Sequence, residues 1–525
     1  MKSTKDAPRS RIAPIVECIP PARQETARHY GAHPYFTRRP ANVVRAYVER
    51  FTVRGDTVLD PYGGTGVTAI EAMLLGRRAI QNDVNPFANF ITAAIADTSL
   101  RSTTQLKEEF ERLEKRCRSR IQEIQGASAS HLERVLKTVH LPDDLALPST
   151  SDVLHYHELF TPRQLAGLAL LKDGIDQVKN PGVRIALLLA WSATLAKLNK
   201  TFLSAKGRRA SRGGSSIFSI YRYKVAKNVV ELPIWDTFRG RVENVIEAKD
   251  EVLRHLEHAE RTIGEIDSAR ELRIMALDAV DLPSALGADS VDYIFTDPPY
   301  GGHIAYLDLS TLWNHWLGFE VSDRARESEA IVGGERHHTE EHYKDKLGKS
   351  VRACLELLRP DRWFSIVFQH WDTSYFSTIL ESAESGGAEL RAAVSQEPEV
   401  IWSMHKKKNA ETVLSGELIL TFYKGLRGPR PRRRSKCEPS TFEGILDRIL
   451  PEFARSGGPI RGERLFNRII VEAWNRGCLD AIHVSPEAFN DCLRKRGWTY
   501  QPQQHLWVSG TGPKQQLEMF EPSRV

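Results

Sequence analysis

The sequence predicts an α/β chain: a parallel sheet interrupted by a mainly helical insertion, followed by a small α+β unit. Two observations carry this. A β-loop-α-β unit runs through "DTVLD", "PYGGTG", "VTAIEAMLLG" and "RRAIQND" within residues 56–83. The same pattern of apolar strands then returns only after residue 270, in "LRIMALDAVDLP" and "VDYIFTDPPY".

The elements follow in order. Residues 1–30 read as a polar arm with prolines, and "ANVVRAYVERF" (41–51) has the apolar spacing of a helix. Residues 31–100 form the first half of the sheet domain. Residues 101–265 form the insertion, which opens with the charged amphipathic helix "TQLKEEFERLEKRCRSRIQEIQ". Residues 266–425 complete the sheet domain. They hold the helix "YKDKLGKSVRACLELLRP", the strand "RWFSIVFQ" and a hairpin-like pair, "EVIWSMHKK" with "GELILTFYK". Residues 426–439 read as a basic linker, because Pro and Gly break structure and like charges repel. Residues 440–525 are expected to be a small separate α+β domain, and no internal repeat is evident.

Composition narrows the class. At 525 residues the chain exceeds one ordinary domain, and 41% hydrophobic residues sustain sizeable cores. Six cysteines lie scattered with no CxxC pair, which argues against a zinc ribbon or a disulfide framework and for a reducing cytosol. No apolar run is long enough to span a bilayer, so a cytoplasmic protein with no membrane partner is expected.

Two stretches carry chemistry. In "LDPYGGTG", Asp60 ends a strand and Gly63, Gly64 and Gly66 precede a helix, a turn that lets backbone approach a ligand. Asp83 ends the next strand, where an acid binds ribose hydroxyls in a Rossmann-like crevice. The GxGxxG spacing of dinucleotide sites is absent, and an acid just before the loop suits a ligand with a cationic end. In "FTDPPY", Asp297 follows an apolar strand, so its carboxylate sits at the carboxyl edge of the sheet. The prolines make a rigid corner. The Pro298 carbonyl and Asp297 offer two acceptors for an –NH2 group, and Tyr300 offers a flat face for its ring. The competing reading is a proline-rich turn with an exposed tyrosine.

With both stretches in view, the chain resembles the amino-methyltransferases that modify DNA bases using S-adenosylmethionine. "HPYFTRRPANVV" (33–44) resembles the segment that precedes their glycine loop and helps close the cofactor pocket. "GGHIAYLDLSTLWNHWLGF" resembles the continuation found in adenine-specific DNA methylases, and the late strand pair is similar to theirs. The resemblance covers about 30–90 and 270–424. It implies a seven-stranded Rossmann-like sheet and S-adenosylmethionine as cofactor. It further implies that His33, Pro34, Asp60, Pro61, Tyr62, Gly63, Gly64, Gly66 and Asp83 bind that cofactor, with Asp278 near its adenine. Asp297, Pro298, Pro299 and Tyr300 then hold the target base. Two departures stand out: Tyr62 replaces the usual Phe, and the insertion falls between the second strand and Asp278, so no standard circular order applies.

Nucleic-acid contact is expected from the insertion. Lys197 to Lys227 contains nine Lys and Arg, no acid, and the aromatics Phe202, Phe218, Tyr221 and Tyr223. Lys206, Arg208, Arg209, Arg212, Tyr221 and Arg222 are the candidates for phosphate contact and base stacking. His33, His303 and His370 lack metal-ligand spacing, and Trp313 with Trp316 suits helix packing. The expected partner is double-stranded DNA, with adenine favoured over cytosine by the DPPY form. A restriction or phage-defence partner protein, an RNA substrate and a silent nucleic-acid-binding regulator remain as alternatives.

Overall fold

The computed structural model describes residues 9–23, 27–100, 102–203, 214–263, 272–302, 304–397, 411–414, 416–426, 441–456 and 458–510. Lys206, Arg208, Arg209, Arg212, His303, all of "EVIWSMHKK" and nearly all of the expected linker lie outside them.

Among the described residues, seven strands make the main sheet: β1 (Thr57–Asp60), β2 (Arg78–Asn82), β3 (Leu272–Met275), β4 (Val291–Thr296), β5 (Leu358–Phe368), β6 (Ala388–Gln396) and β7 (Glu417–Lys424). Their spatial order is β3-β2-β1-β4-β5-β7-β6. The first five are parallel, and β7 runs antiparallel between β5 and β6. This is the expected α/β class. Alternate residues face opposite layers, as strand geometry requires. Val58, Tyr293 and Phe295 enter one core, while Leu59 and Ile294 enter the other.

The antiparallel partner of "GELILTFYK" is Ala388–Gln396, with Gln396 opposite Glu417. That strand, "AELRAAVSQ", alternates exposed and buried residues as an edge strand does.

Helices fill the insertion: Thr104–Gly126, Ala129–Leu136, Pro162–Asp176, Pro181–Leu195 and Ile234–Ile263. Their apolar faces do not form a core of their own. Leu113, Leu168, Leu187 and Val245 belong to the same cluster as Val58 and Phe295. The insertion is thus a thickening of the sheet's outer layer.

The last unit is also joined to the sheet. It comprises the helices Thr441–Ser456, Gly462–Asn475 and Pro486–Lys495 and the hairpin Trp498–Gln501 with Leu506–Ser509. Trp371, just after β5, packs on Phe466 and Phe489 with ring centroids 4.6 and 5.5 Å apart. Asn467 donates to Ser395 Oγ at 2.9 Å, so this unit covers the edge strand β6 rather than standing apart from it. The N-terminal arm is tied down as well. Asp361 accepts from the backbone N–H of Arg9 at 2.9 Å, and the Arg9 guanidinium pairs with Asp56 at 3.0 Å. No helix among the described residues is long and apolar enough to cross a membrane.

Candidate active site

Strand order reverses between β1 and β4, so the loops leaving their carboxyl ends diverge and leave a crevice. That cleft encloses about 1240 Å³ of empty space, its open mouth included. Its walls are the glycine loop, the Asp297 corner, Asp83–Asn85, Leu277–Ala279, the segment from Tyr35 to Arg39, and Ser328–Ala330.

The glycine loop is packed too tightly for side chains. A Cβ on Gly63 would lie 2.0 Å from Gln81 Oε1. Gly66 has φ +78°, and a Cβ there would lie 2.3 Å from Thr92. The loop's N–H groups are turned inward. Gly63 donates to the Asn82 carbonyl at 2.9 Å, Gly64 to Asp83 Oδ2 at 2.9 Å and Gly66 to the Gly63 carbonyl at 2.8 Å. Pro61 accepts from Asn82 at 3.0 Å, and the Tyr62 hydroxyl meets Ser350 Oγ at 2.7 Å.

The acids differ in how they are held. Asp60 accepts from Thr68 and Thr296, both at 2.8 Å, and from the Tyr62 N–H at 3.1 Å. It therefore ties β1, β4 and the following helix together, and burial pushes its carboxyl up to about 7. Asp83 accepts from the Gly64 and Asn85 N–H groups, and burial raises it to about 6. Asp278 accepts from the Val280 N–H at 3.1 Å and pairs with Lys346.

At the corner, the Tyr300 hydroxyl donates to Asp297 Oδ1 at 2.6 Å, and Arg39 Nε meets Oδ2 at 2.6 Å. Burial raises the Asp297 carboxyl, against the pull of Arg39. The Tyr343 hydroxyl takes the Pro299 carbonyl, which leaves Pro298's as the corner's other acceptor. The Tyr300 ring is half-buried and braced edge-on by Phe368, 5.2 Å between centroids.

Some expected residues stand elsewhere. His33 is 1% exposed, donates from Nδ1 to the Pro34 carbonyl at 2.6 Å, and packs edge-on against Phe87 and Trp313. Burial drives its imidazole down to about 3, so it is neutral. His33 and Pro34 lie behind the cleft wall; the same segment lines the cleft with Tyr35, Thr37, Arg38 and Arg39. In the basic segment, Phe202 and Tyr223 are core residues, and Phe218 packs on Phe36 and Trp313. Tyr221 is half-buried at φ +56°, and Arg222 pairs at the surface with Asp152 at 2.6 Å. The described aromatics therefore mostly anchor the segment to the body. Trp313 stacks on Phe87 at 4.7 Å and Trp316 is buried, as helix packing requires.

Three charged side chains carry no motif signal. Arg38 is half-buried and donates to Thr65 Oγ1 at 2.9 Å and to the Tyr30 and His33 carbonyls. Arg39 bridges Asp297 and Glu417. Glu329 is 7% exposed, accepts from the Leu307 N–H at 3.1 Å, and is pushed by burial up to about 8. Only the doubled arginine of "FTRRP" could have drawn attention to the first two.

Comparison with known proteins adds two findings. A family model for N6/N4-type enzymes, described as DNA methylase, matches residues 4–92, a span that holds the glycine loop and Asp83 but not the Asp297 corner. The Type II methyltransferase M.MjaII of Methanocaldococcus jannaschii is 31% identical over 65 residues, which is 12% of this chain and 12% of that relative's length.

Proposed function

We propose that this chain is a DNA amino-methyltransferase, which transfers a methyl group from S-adenosylmethionine to an exocyclic amino group of a DNA base, with N6 of adenine the favoured target; the partial matches to a DNA methylase family model and to a type II methyltransferase support the reading. One observation carries the reading: the glycine loop with Asp83 and the Asp297 corner open into the same cleft.

The charge of that cleft supports the cofactor. Asp60, Asp83, Asp278, Asp297 and Glu329 line it against Arg38 and Arg39. A pyrophosphate would meet this excess of acids, and the three glycine N–H groups of the loop are spent on protein acceptors instead of cradling it. A sulfonium with an ammonium end fits better. When bound, the cofactor supplies an electrophilic methyl group. Asp83 keeps lone pairs for ribose hydroxyls, Asp278 stands ready for the adenine, and Glu329 offers a carboxylate to the ammonium end.

The corner then prepares the nucleophile. An amine on an aromatic ring is weakly nucleophilic because its lone pair is delocalised. Accepting its two N–H groups at Asp297 and the Pro298 carbonyl pulls the nitrogen toward sp³ and frees that pair. The gain is positional and electrostatic, worth roughly 7–11 kcal/mol where such alignment is complete. The base must leave the duplex at a cost of a few kcal/mol, offset by stacking on Tyr300. The basic segment from Lys197 to Lys227 is the proposed phosphate contact.

Labelled methyl transfer to duplex DNA and to total RNA, followed by nucleoside analysis, tests this. N6-methyladenine in DNA is expected. Label in RNA alone would remove DNA as the substrate, and methylated cytosine alone would correct the base.

Glu329 gives a pH signature. Its folded carboxyl titrates near 8, so near neutrality it is largely protonated before ligand arrives. Holding a cation requires the anion, so cofactor binding below pH 8 should release a proton, and affinity should rise with pH up to about 8. Calorimetry in buffers of different ionisation enthalpy measures that proton. An unchanged proton count in Glu329→Gln would take Glu329 out of the site.

A further inference from the structure

Asp297 reaches the base corner as a half-buried carboxyl, and the desolvation it suffers there favours the protonated form. That would defeat its task, since a protonated acid brings an O–H donor to an amine that needs acceptors. Among the described residues, the groups facing it are few. Arg39 comes from the segment before the helix Ala41–Phe51, Glu417 from the first residue of β7, and Asp60 from the end of β1. Tyr300 belongs to the corner itself, while Tyr306 and Tyr343 stand on neighbouring helices. Among these Arg39 is the cation, and Glu417 and Asp60 push the carboxyl the same way as burial does.

The geometry of Arg39 is fixed from both sides. It meets Asp297 Oδ2 through Nε and Glu417 through its terminal nitrogen, so the guanidinium lies between two carboxylates. Its backbone leads through Pro40 into a helix whose Tyr47 packs on Phe295 of β4, with centroids 5.4 Å apart. The Tyr300 hydroxyl holds Oδ1. Each carboxylate oxygen has two lone-pair sites, so Asp297 can still accept an amine N–H with both partners in place.

We propose that Arg39 is the positioning residue of the base corner: bridged between Asp297 and Glu417, it keeps the Asp297 carboxylate in its acceptor form and fixes its orientation toward the target amine. This rests on the amino-methyltransferase reading above. Arg39 touches neither the amine nor the methyl group, and it acts only through Asp297.

The test compares wild type, Arg39→Met, Arg39→Lys and Arg39→Met/Asp297→Asn. Methyl transfer to DNA is followed from acid to alkaline pH, and in parallel the protonated-carboxyl band is titrated by infrared difference spectroscopy on the full chain. In Arg39→Met the acid limb of kcat should move up by about 1–3 pH units, with much of the rate recovered at alkaline pH. Arg39→Lys should restore most of the wild-type profile. The carboxyl band should persist to correspondingly higher pH in Arg39→Met and be absent from the double variant. A merely structural loss would lower activity at every pH and leave the band in place. Identical pH profiles and bands in wild type and Arg39→Met would overturn the proposal. So would an Arg39→Met variant faster than wild type at neutral pH, which would make Arg39 a plug. If the band shifts as expected while wild type methylates no nucleic acid, the hold of Arg39 on Asp297 stands and the methyltransferase reading falls.

Discussion

Asp297→Ala is expected to lower methyl transfer by ~10²–10³-fold or more, the usual cost of losing one preorganised polar group aimed at the reacting centre. Cofactor affinity should change little, because Asp297 belongs to the β4 corner while the glycine loop, Asp83 and Asp278 stand on β1, β2 and the turn after β3. The variant also leaves Arg39 with Glu417 as its carboxylate partner, so the fold should survive. Single-turnover transfer measured beside cofactor calorimetry separates the two effects. Wild-type turnover in Asp297→Ala would remove the corner from the chemistry.

Asp83→Ala should act on the opposite step. Its carboxylate accepts from Gly64 and Asn85, and the proposal adds two ribose hydroxyls. Hydrogen bonds to a charged acceptor are worth about 1.5–3 kcal/mol each, so a loss of ~10²-fold or more in cofactor affinity is expected. The Gly64 N–H would also lose its partner, which loosens the loop. Asp83→Asn, which keeps one acceptor oxygen, should fall between. Calorimetry showing equal affinity in Asp83→Ala and wild type would take Asp83 out of the cofactor site.

Stability should respond to pH through the same acids. Glu329, Asp60 and Asp83 all have folded values above their ordinary range, to about 8, 7 and 6. Between the unfolded and folded values the native state binds more protons, so their contribution to stability is full in acid and falls as pH rises toward 8. Burying a cation among them would reverse part of that fall.

The parts legible in the sequence were those where function forces a local pattern. Gly63 and Gly66 must lack side chains because Gln81 and Thr92 press on the loop, and Asp297 must follow an apolar strand to reach the sheet's edge. Arg39, Glu329 and Glu417 were not legible because their meaning lies in partners 258 or more residues away or in a cavity wall, and no spacing rule encodes either. Strand β6 went unread for a different reason. "AELRAAVSQ" mixes charges into a short alternating edge, while the more apolar "EVIWSM" beside it resembled a strand more strongly. The docking of the last unit was equally hidden: an amphipathic helix declares that it packs, not on what.

The insertion between β2 and β3 has a consequence for how the chain is made. β1 and β2 leave the ribosome early, yet the Thr57 N–H waits for Asp292, 235 residues later. Until then the first strand pair carries an unfilled edge and an uncovered apolar face, the state most open to aggregation. Closure of the sheet is long-range and therefore slow. The helices of the insertion emerge during that interval and share a core with Val58 and its neighbours, so they can shelter the nascent half-sheet before its partner strand β4 exists. On this view the insertion serves as the chain's own temporary cover during synthesis, whatever it touches afterwards.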